Sequence, residues 1–387
     1  MENAGKKNSQ QLMKAYNENL VYNSIRLYGP ISRATIARMT KMSATSIGRI
    51  VENLIDENMV SETGTVSGMV GRKPTMLQVN PEGMLAIAVG IDYAKIEAGV
   101  VDICGKINHS EVYRSKNGMS QEEIIGQIRL QIQRVLDILT PEQRRRVVGI
   151  GITTPGVVRF PERVVTSPQF GWQKVPLGEL CGEYGIDLMV ENAVKAAATA
   201  EHMFGCTKNI NSYVMITMGS GIGAAIMLNG ELFRGSNNIA GEIGHITVDP
   251  NGILCDCGRR GCLQSTLCML GLERKTGLPY NEIIFRAETG EEPYCALMDN
   301  VVEQLSQWVA NMANLYDFPT IILYGEMLED HYDIYRQITE RYQKYLWTST
   351  RKHLEIIKSE INLKKLPLLS AAAVAFCKVL ASEVVIR

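Results

Sequence analysis

The chain has 387 residues, 45% of them apolar and 21% charged, an ordinary globular composition that excludes disordered and fibrous classes. Its 40 Lys/Arg and 41 Asp/Glu give a formal net charge of −1, which taken whole argues against a polyanion binder. The length suggests two or three domains. Nine cysteines, an odd and clustered number, exclude a secreted disulfide framework. The opening MENAGKKNSQ has no apolar stretch behind its lysines, and the most apolar run, near the C-terminus, is broken by Lys378 and Glu383. Neither a signal peptide nor a membrane span is expected, and a reducing, cytoplasmic address follows.

The average hides an asymmetry. Residues 1–80 hold ten Lys/Arg against six Asp/Glu, a net of +4, so the other 307 residues carry −5. Charge asymmetry of this kind hints at nucleic acid. The pattern agrees. Leu20, Val21, Ile25 and Leu27 fit one helix face, closed by Gly29-Pro30. Ser32 caps a short helix through Met39, and Ser43 caps a longer one that buries Ile47, Ile50, Val51, Leu54 and Ile55. Two helices about three residues apart, the second beginning with small and hydroxyl residues, are the layout of a helix-turn-helix. Strands at 59–62 and 76–79 around a Gly-rich loop complete a winged helix-turn-helix over residues 1–80. The residues placed at double-stranded DNA are Ser43, Thr45, Ser46 and Arg49, supported by Arg33 and by Arg72 and Lys73 in the wing.

From Pro81 the pattern changes to α/β. Strands are expected at 85–91, 96–101, 147–152, 188–191, 213–218, 224–228 and 320–323, with helices at 124–139, 194–202 and 301–315 and from Leu368 onward. The strand-turn-strand units near 85–101 and 213–228 suggest two similar lobes.

The sharpest chemical signal is GEIGHITVDPNGILCDCGRRGCLQ. His245, Cys255, Cys257 and Cys262 give the spacing H-x9-C-x-C-x4-C. Three thiolates and a neutral imidazole form a tetrahedral set for a closed, structural Zn2+ site, one per chain. Four strong ligands leave no open position for catalysis. Gly252, Gly258 and Gly261 would let the loop wrap the ion.

In these motifs the chain resembles the ROK family, which joins transcriptional repressors, unassigned reading frames and sugar kinases. The resemblance covers nearly the whole chain. It is carried by the helix-turn-helix segment, the GRKP of the wing, Pro155-Gly156, VENAVKAAATAE, GSGIGAAIMLNGELFRGSNNIAGEIGH and the Cys/His cluster. It implies an actin-like (ribonuclease H-like) two-lobed domain after the winged helix, and the regulator branch, since family kinases lack the N-terminal module. The lobes expected are 81–195 plus 367–387, and 196–366 with the metal loop and an oligomerisation surface. The implied partners are a palindromic operator, a second copy of the chain in a homodimer or tetramer, and a sugar or sugar-phosphate effector. Ligand contacts carried over from the family fall on Gly156, Asn192, Glu242 and Gln264.

The departures bear on catalysis. Where family kinases carry Asp-x-Gly-Gly-Thr after the first strand, Asp92 is followed by Tyr93-Ala94-Lys95. The family's general base, the Asp of Glu-Asn-Asp, is Ala193 here, and alanine cannot take a proton. The family's sugar-binding Glu after the last cysteine is Gln264, and the late Gly-Gly that meets adenosine is Tyr324-Gly325. Only the Gly219–Gly223 loop is intact. No catalytic residue is assigned. The expected function is a non-catalytic, sugar-responsive repressor of carbohydrate-utilisation genes. The alternatives are a sugar kinase that also binds DNA and a repressor controlled by a protein partner.

Overall fold

The computed structural model describes residues 2–65, 74–92, 95–115, 119–329, 332–347 and 354–381. The chain opens with helix α1 (Glu2–Tyr28), whose Val21, Tyr22 and Ile25 are buried. A two-residue strand β1 (Ile31–Ser32) leads into α2 (Arg33–Thr40), where the Ser32 hydroxyl accepts the Thr35 N–H at 3.2 Å. Lys41, in the left-handed region at φ 57°, turns the chain toward α3 (Ala44–Asp56), where the Ser43 hydroxyl accepts the Ser46 N–H at 3.1 Å. Both expected caps are present. Helix α3 buries Ile47, Ile50, Val51 and Leu54 on one face. Strands β2 (Val60–Thr65) and β3 (Thr75–Val79) pair antiparallel, and β1 adds to β3 with Ile31 opposite Leu77.

The second segment begins with β4 (Leu85–Ile91), β5 (Lys95–Asp102) and β6 (Ile107–Arg114), an antiparallel meander. Helices α4 (Gln121–Asp137) and α5 (Pro141–Arg145) follow, each opened by a reciprocal side-chain and backbone cap, Ser120 with Glu123 and Thr140 with Gln143. Strand β7 (Val147–Thr154) returns parallel to β4. The hairpins of β8 (Val157–Arg159), β9 (Val164–Ser167) and β10 (Trp172–Pro176) form a small separate sheet. Strand β11 (Leu188–Asn192) runs into α6 (Ala193–Phe204).

A second meander follows in β12 (Tyr213–Met218), β13 (Ile222–Leu228) and β14 (Glu231–Leu232). After the metal loop come α7 (Leu263–Leu267), α8 (Met269–Thr276), α9 (Tyr280–Glu288) and α10 (Tyr294–Tyr316). Strand β15 (Thr320–Tyr324), α11 (Ile334–Arg341), β16 (Glu355–Lys358) and α12 (Leu366–Ala381) end the chain.

The two large sheets share one topology. Their orders are β11-β7-β4-β5-β6 and β14-β13-β12-β15-β16: a three-strand antiparallel meander whose first strand is flanked by the fourth, with the fifth outermost. The strands next to the first, β7 and β15, are parallel to it. Central strands β4 and β12 are almost wholly buried runs, as strands covered on both faces must be. The chain groups into two compact units, 1–154 with 177–191 and 367–387, and 155–176 with 192–366.

These boundaries differ from the expected lobes in two places. Residues 155–176 belong with the second sheet, because Asn192 donates to the Gly156 carbonyl at 2.8 Å and Asn238 to that of Val158 at 2.9 Å. The junction near 195 falls at 191/192. The N-terminal helices group with the first sheet. Arg146 donates to the Glu57 carbonyl and Asn80 Nδ2 to that of Asn58, so the end of α3 is tied to β7 and to the loop before β4. In α12, Ala371 packs on the backbone of Gly151, where a Cβ would sit 1.8 Å from the Ala371 oxygen.

Candidate functional site

The metal loop is built by backbone geometry. Gly258 and Gly261 hold φ of 85° and 62°, and a Cβ on Gly261 would fall 1.5 Å from the Asp249 carbonyl oxygen. A pair of isolated bridges, Thr247 with Cys262 and Leu254 with Arg260, closes the loop. The four donor atoms of His245, Cys255, Cys257 and Cys262 then all lie within 4.8 Å of one another. Cys257 Sγ is 3.6 Å from Cys262 Sγ, and Cys255 Sγ is 3.7 Å from His245 Nδ1. A tetrahedron with Zn–S bonds of about 2.3 Å has S···S edges near 3.8 Å, so both spacings suit one central ion. This cluster could hold a metal ion.

The surrounding groups orient the donors. Arg259 donates to the His245 carbonyl at 2.7 Å, and Gln264 Nε2 donates to Cys255 Sγ at 3.7 Å. Burial pushes the Cys257 thiol up, but hydrogen bonds from the Arg259 backbone and guanidinium and from the neighbouring thiols outweigh it and bring the thiol below its ordinary value. Burial, with Cys257 and Cys255 beside it, pushes Cys262 up. A cation held by the cluster would displace the thiol protons. Elsewhere burial raises Cys268 and Cys377 to about 11, as expected of thiols used as apolar filler, whereas Cys104 is exposed.

The residues expected at the ligand are partly assembled. Asn192 caps α6, its Oδ1 accepting the N–H groups of Val194 and Lys195, while its Nδ2 holds the Gly156 carbonyl. Gly156 is required there, since at φ 96° a Cβ would meet the Thr166 oxygen at 2.4 Å. Glu242 joins the group through a residue the sequence reading missed. Lys195, 1% exposed, donates to the Asn238 carbonyl at 2.7 Å and lies 4.0 Å from a Glu242 oxygen. A lysine in an Ala-rich helix reads as a solvated charge, and only the fold reveals it buried. Gln264 points differently from the expectation. Its amide nitrogen bonds Cys255, and its Oε1 sits 2.7 Å from where a Cβ on Gly244 would be. It therefore packs on the metal loop.

Of the residues placed at DNA, Ser43, Thr45 and Arg49 are exposed and Ser46 half-buried, all on the first turns of α3. Arg33 is engaged with Glu62 at 2.8 Å. Arg72 and Lys73 lie outside the described residues. At the end of the first strand pair Ile91 faces Ile96, and the Asp92 N–H donates to the Lys95 carbonyl at 2.9 Å. The intact glycine loop, Gly219-Ser220-Gly221, joins Met218 to its partner Ile222.

The chain belongs to the ROK family, whose model matches residues 84–376. Its two sheets are the two lobes of that family's α/β, actin-like fold. A xylose repressor of Bacillus spizizenii is 28% identical over 377 residues, covering 94% of this chain and 96% of that one. The crystal structure of a ROK family transcriptional regulator, a homologue of the E. coli MLC protein, superposes with a TM-score of 0.79 over 96% of this chain and all (100%) of its own, at 23% identity, a likeness of fold. A ROK family glucokinase from Streptomyces griseus, solved with glucose and AMPPNP, superposes with a TM-score of 0.63 at 25% identity, but over only 74% of this chain against 98% of its own. No described helix is long and apolar enough to cross a membrane.

Proposed function

We propose that this protein is a DNA-binding transcriptional regulator, a repressor of carbohydrate-utilisation genes, whose ROK domain senses a sugar or sugar phosphate without phosphorylating it. One observation carries the reading. The family match begins at residue 84, and the residues before it form two capped helices and a strand pair whose second helix leaves Ser43, Thr45 and Arg49 exposed. That is the layout of a winged helix-turn-helix, with the N-terminal end of α3 as the reading edge. The full-length likeness to a xylose repressor supports it.

On this reading a homodimer presents two α3 helices to the halves of a palindromic operator. Gly156, Asn192 and Glu242 read the hydroxyls of the effector, with Lys195 holding Glu242. His245, Cys255, Cys257 and Cys262 hold a structural Zn2+, whose chemistry is to lock the loop beside Glu242 rather than to activate water. Ala193 in place of a general base and the sequence Asp92-Tyr93-Ala94-Lys95 in place of a glycine-pair turn support the absence of phosphoryl transfer.

The test is binding of the full-length protein to DNA from the region upstream of its own gene, followed by fluorescence anisotropy. Arg49→Ala is expected to weaken binding by about tenfold and, if Arg49 meets a phosphate, to lower the salt slope by about one. Binding unchanged by Arg49→Ala and Thr45→Ala together would remove α3 from the interface. A coupled assay for ADP release over a panel of aldoses is expected to show no turnover, and robust turnover would restore the kinase reading.

A further inference from the structure

The glycine loop at the end of β12 is the one piece of nucleotide-binding apparatus the chain retains, and its surroundings are unusual. A Gly-Ser-Gly loop at the carboxyl end of a strand, beside the carboxyl end of a parallel neighbour, has the composition and position that cradle polyphosphates. Here β15 is that parallel neighbour, with Thr217 opposite Tyr324. It ends in Tyr324-Gly325-Glu326. A Cβ on Gly219 would sit 1.9 Å from Oε2 of Glu326 and 3.0 Å from its Cδ, so the carboxylate rests directly on the Gly219 backbone. A second oxygen, Gln264 Oε1, lies 3.8 Å from the Cβ position of Gly221. The loop's own donors are in part already used, since the Gly219 N–H bonds the Gly221 carbonyl at 3.0 Å. The nearby ammonium of Lys358 is committed to Glu329 at 3.1 Å and to the Leu328 carbonyl at 2.7 Å.

From this arrangement we infer that Glu326 is a specificity-determining residue that closes the glycine loop to nucleotides, its carboxylate lying where a phosphate would rest. The inference deepens the proposed function, resting on the reading of the chain as a regulator that is not a kinase. A polyphosphate entering the loop would meet two oxygen acceptors and a negative charge. Like charges brought together cost binding, and the charge of Glu326 remains beside the loop even when its side chain turns aside. With the first phosphate turn and the adenosine-meeting Gly-Gly already altered, the glycine loop is where a nucleotide's phosphates could still be held. Glu326 closes that place as well, so the sensor follows its effector independently of the nucleotide pool.

The experiment uses the full-length, metal-loaded protein with Mg·ADP as probe, measured by equilibrium dialysis, with pyrophosphate as competitor. The wild type is expected to show no saturable binding at millimolar nucleotide. E326Q, which keeps the shape and removes the charge, and E326A, which removes both, are expected to bind at least about tenfold more tightly, displaceable by pyrophosphate. Saturable wild-type binding, or variants no tighter than wild type, overturns the inference. Circular dichroism and metal content confirm that the variants are folded. Operator binding by the same preparations separates the two claims. If it is intact without a gain of nucleotide, this inference alone fails. If nucleotide is gained by a protein that never binds DNA, the regulator reading fails.

Discussion

The two sheets have the same strand order but different first turns. In the first sheet, four residues separate the paired Ile91 and Ile96, and the outer two, Asp92 and Lys95, are joined by backbone hydrogen bonds. In the second, only Gly219-Ser220-Gly221 separates the paired Met218 and Ile222, and a carboxylate rests on that glycine turn. One strand order thus carries two different turns, one built on glycines with a carboxylate against it and one without glycine at its ends. The strands are constrained by burial on both faces, and the turns are not, so the change accumulates in the turns.

The largest expected effect separates the second unit from the first. Cys257→Ser removes one donor of the metal cluster and is expected to empty it, lowering the thermal midpoint by on the order of 10 °C. Metal analysis and calorimetry check this, and stoichiometric metal in a normally stable variant would show the cluster to be ordinary thiols. Because the donors must be deprotonated, the empty site binds more protons than the loaded one. Zn2+ is therefore expected to be held more tightly at about pH 8 than at about pH 6 in competition with a chelator.

Gly151→Ala acts on the first sheet. Its Cβ would meet the Ala371 carbonyl oxygen, a backbone atom of α12 that cannot step aside, and a loss of about 3 kcal/mol in denaturant unfolding is expected. Lys195→Met leaves the buried Asn238 carbonyl without its donor and Glu242 without its cation. A loss of about 1–3 kcal/mol is expected, with loss of any shift in midpoint on adding the effector. Gly219→Ala is the counterpart of Gly151→Ala and should be the mildest. Its Cβ meets only the end of the exposed Glu326 side chain, which can rotate away for less than about 1 kcal/mol. Equal costs at Gly151 and Gly219 would show that Glu326 is fixed in place.

Local signals carried far into this structure. Ser32 and Ser43 cap the helices they were expected to cap, and the buried strands stand where their apolar runs place them. The metal cluster was legible because four soft donors within eighteen positions of sequence leave few other arrangements. The short or mixed strands β1, β6, β8, β9, β10, β14 and β16 were not, as β1 and β6 illustrate. The first has two residues, and the second, INHSEVYR, carries no apolar alternation, so each exists only through its neighbour in the sheet.

What the sequence determined by itself was the capped N-terminal helices, the long buried strands and helices and the chemistry of each motif, because caps, periodicity and donor spacing act within a few residues of each other. The fold decided the partners. It buried Lys195 beside Glu242, turned Gln264 toward Cys255, assigned 155–176 to the second unit and laid Glu326 on Gly219. Each of these joins groups that are distant in the chain, and their meeting depends on which strands pair and in what register.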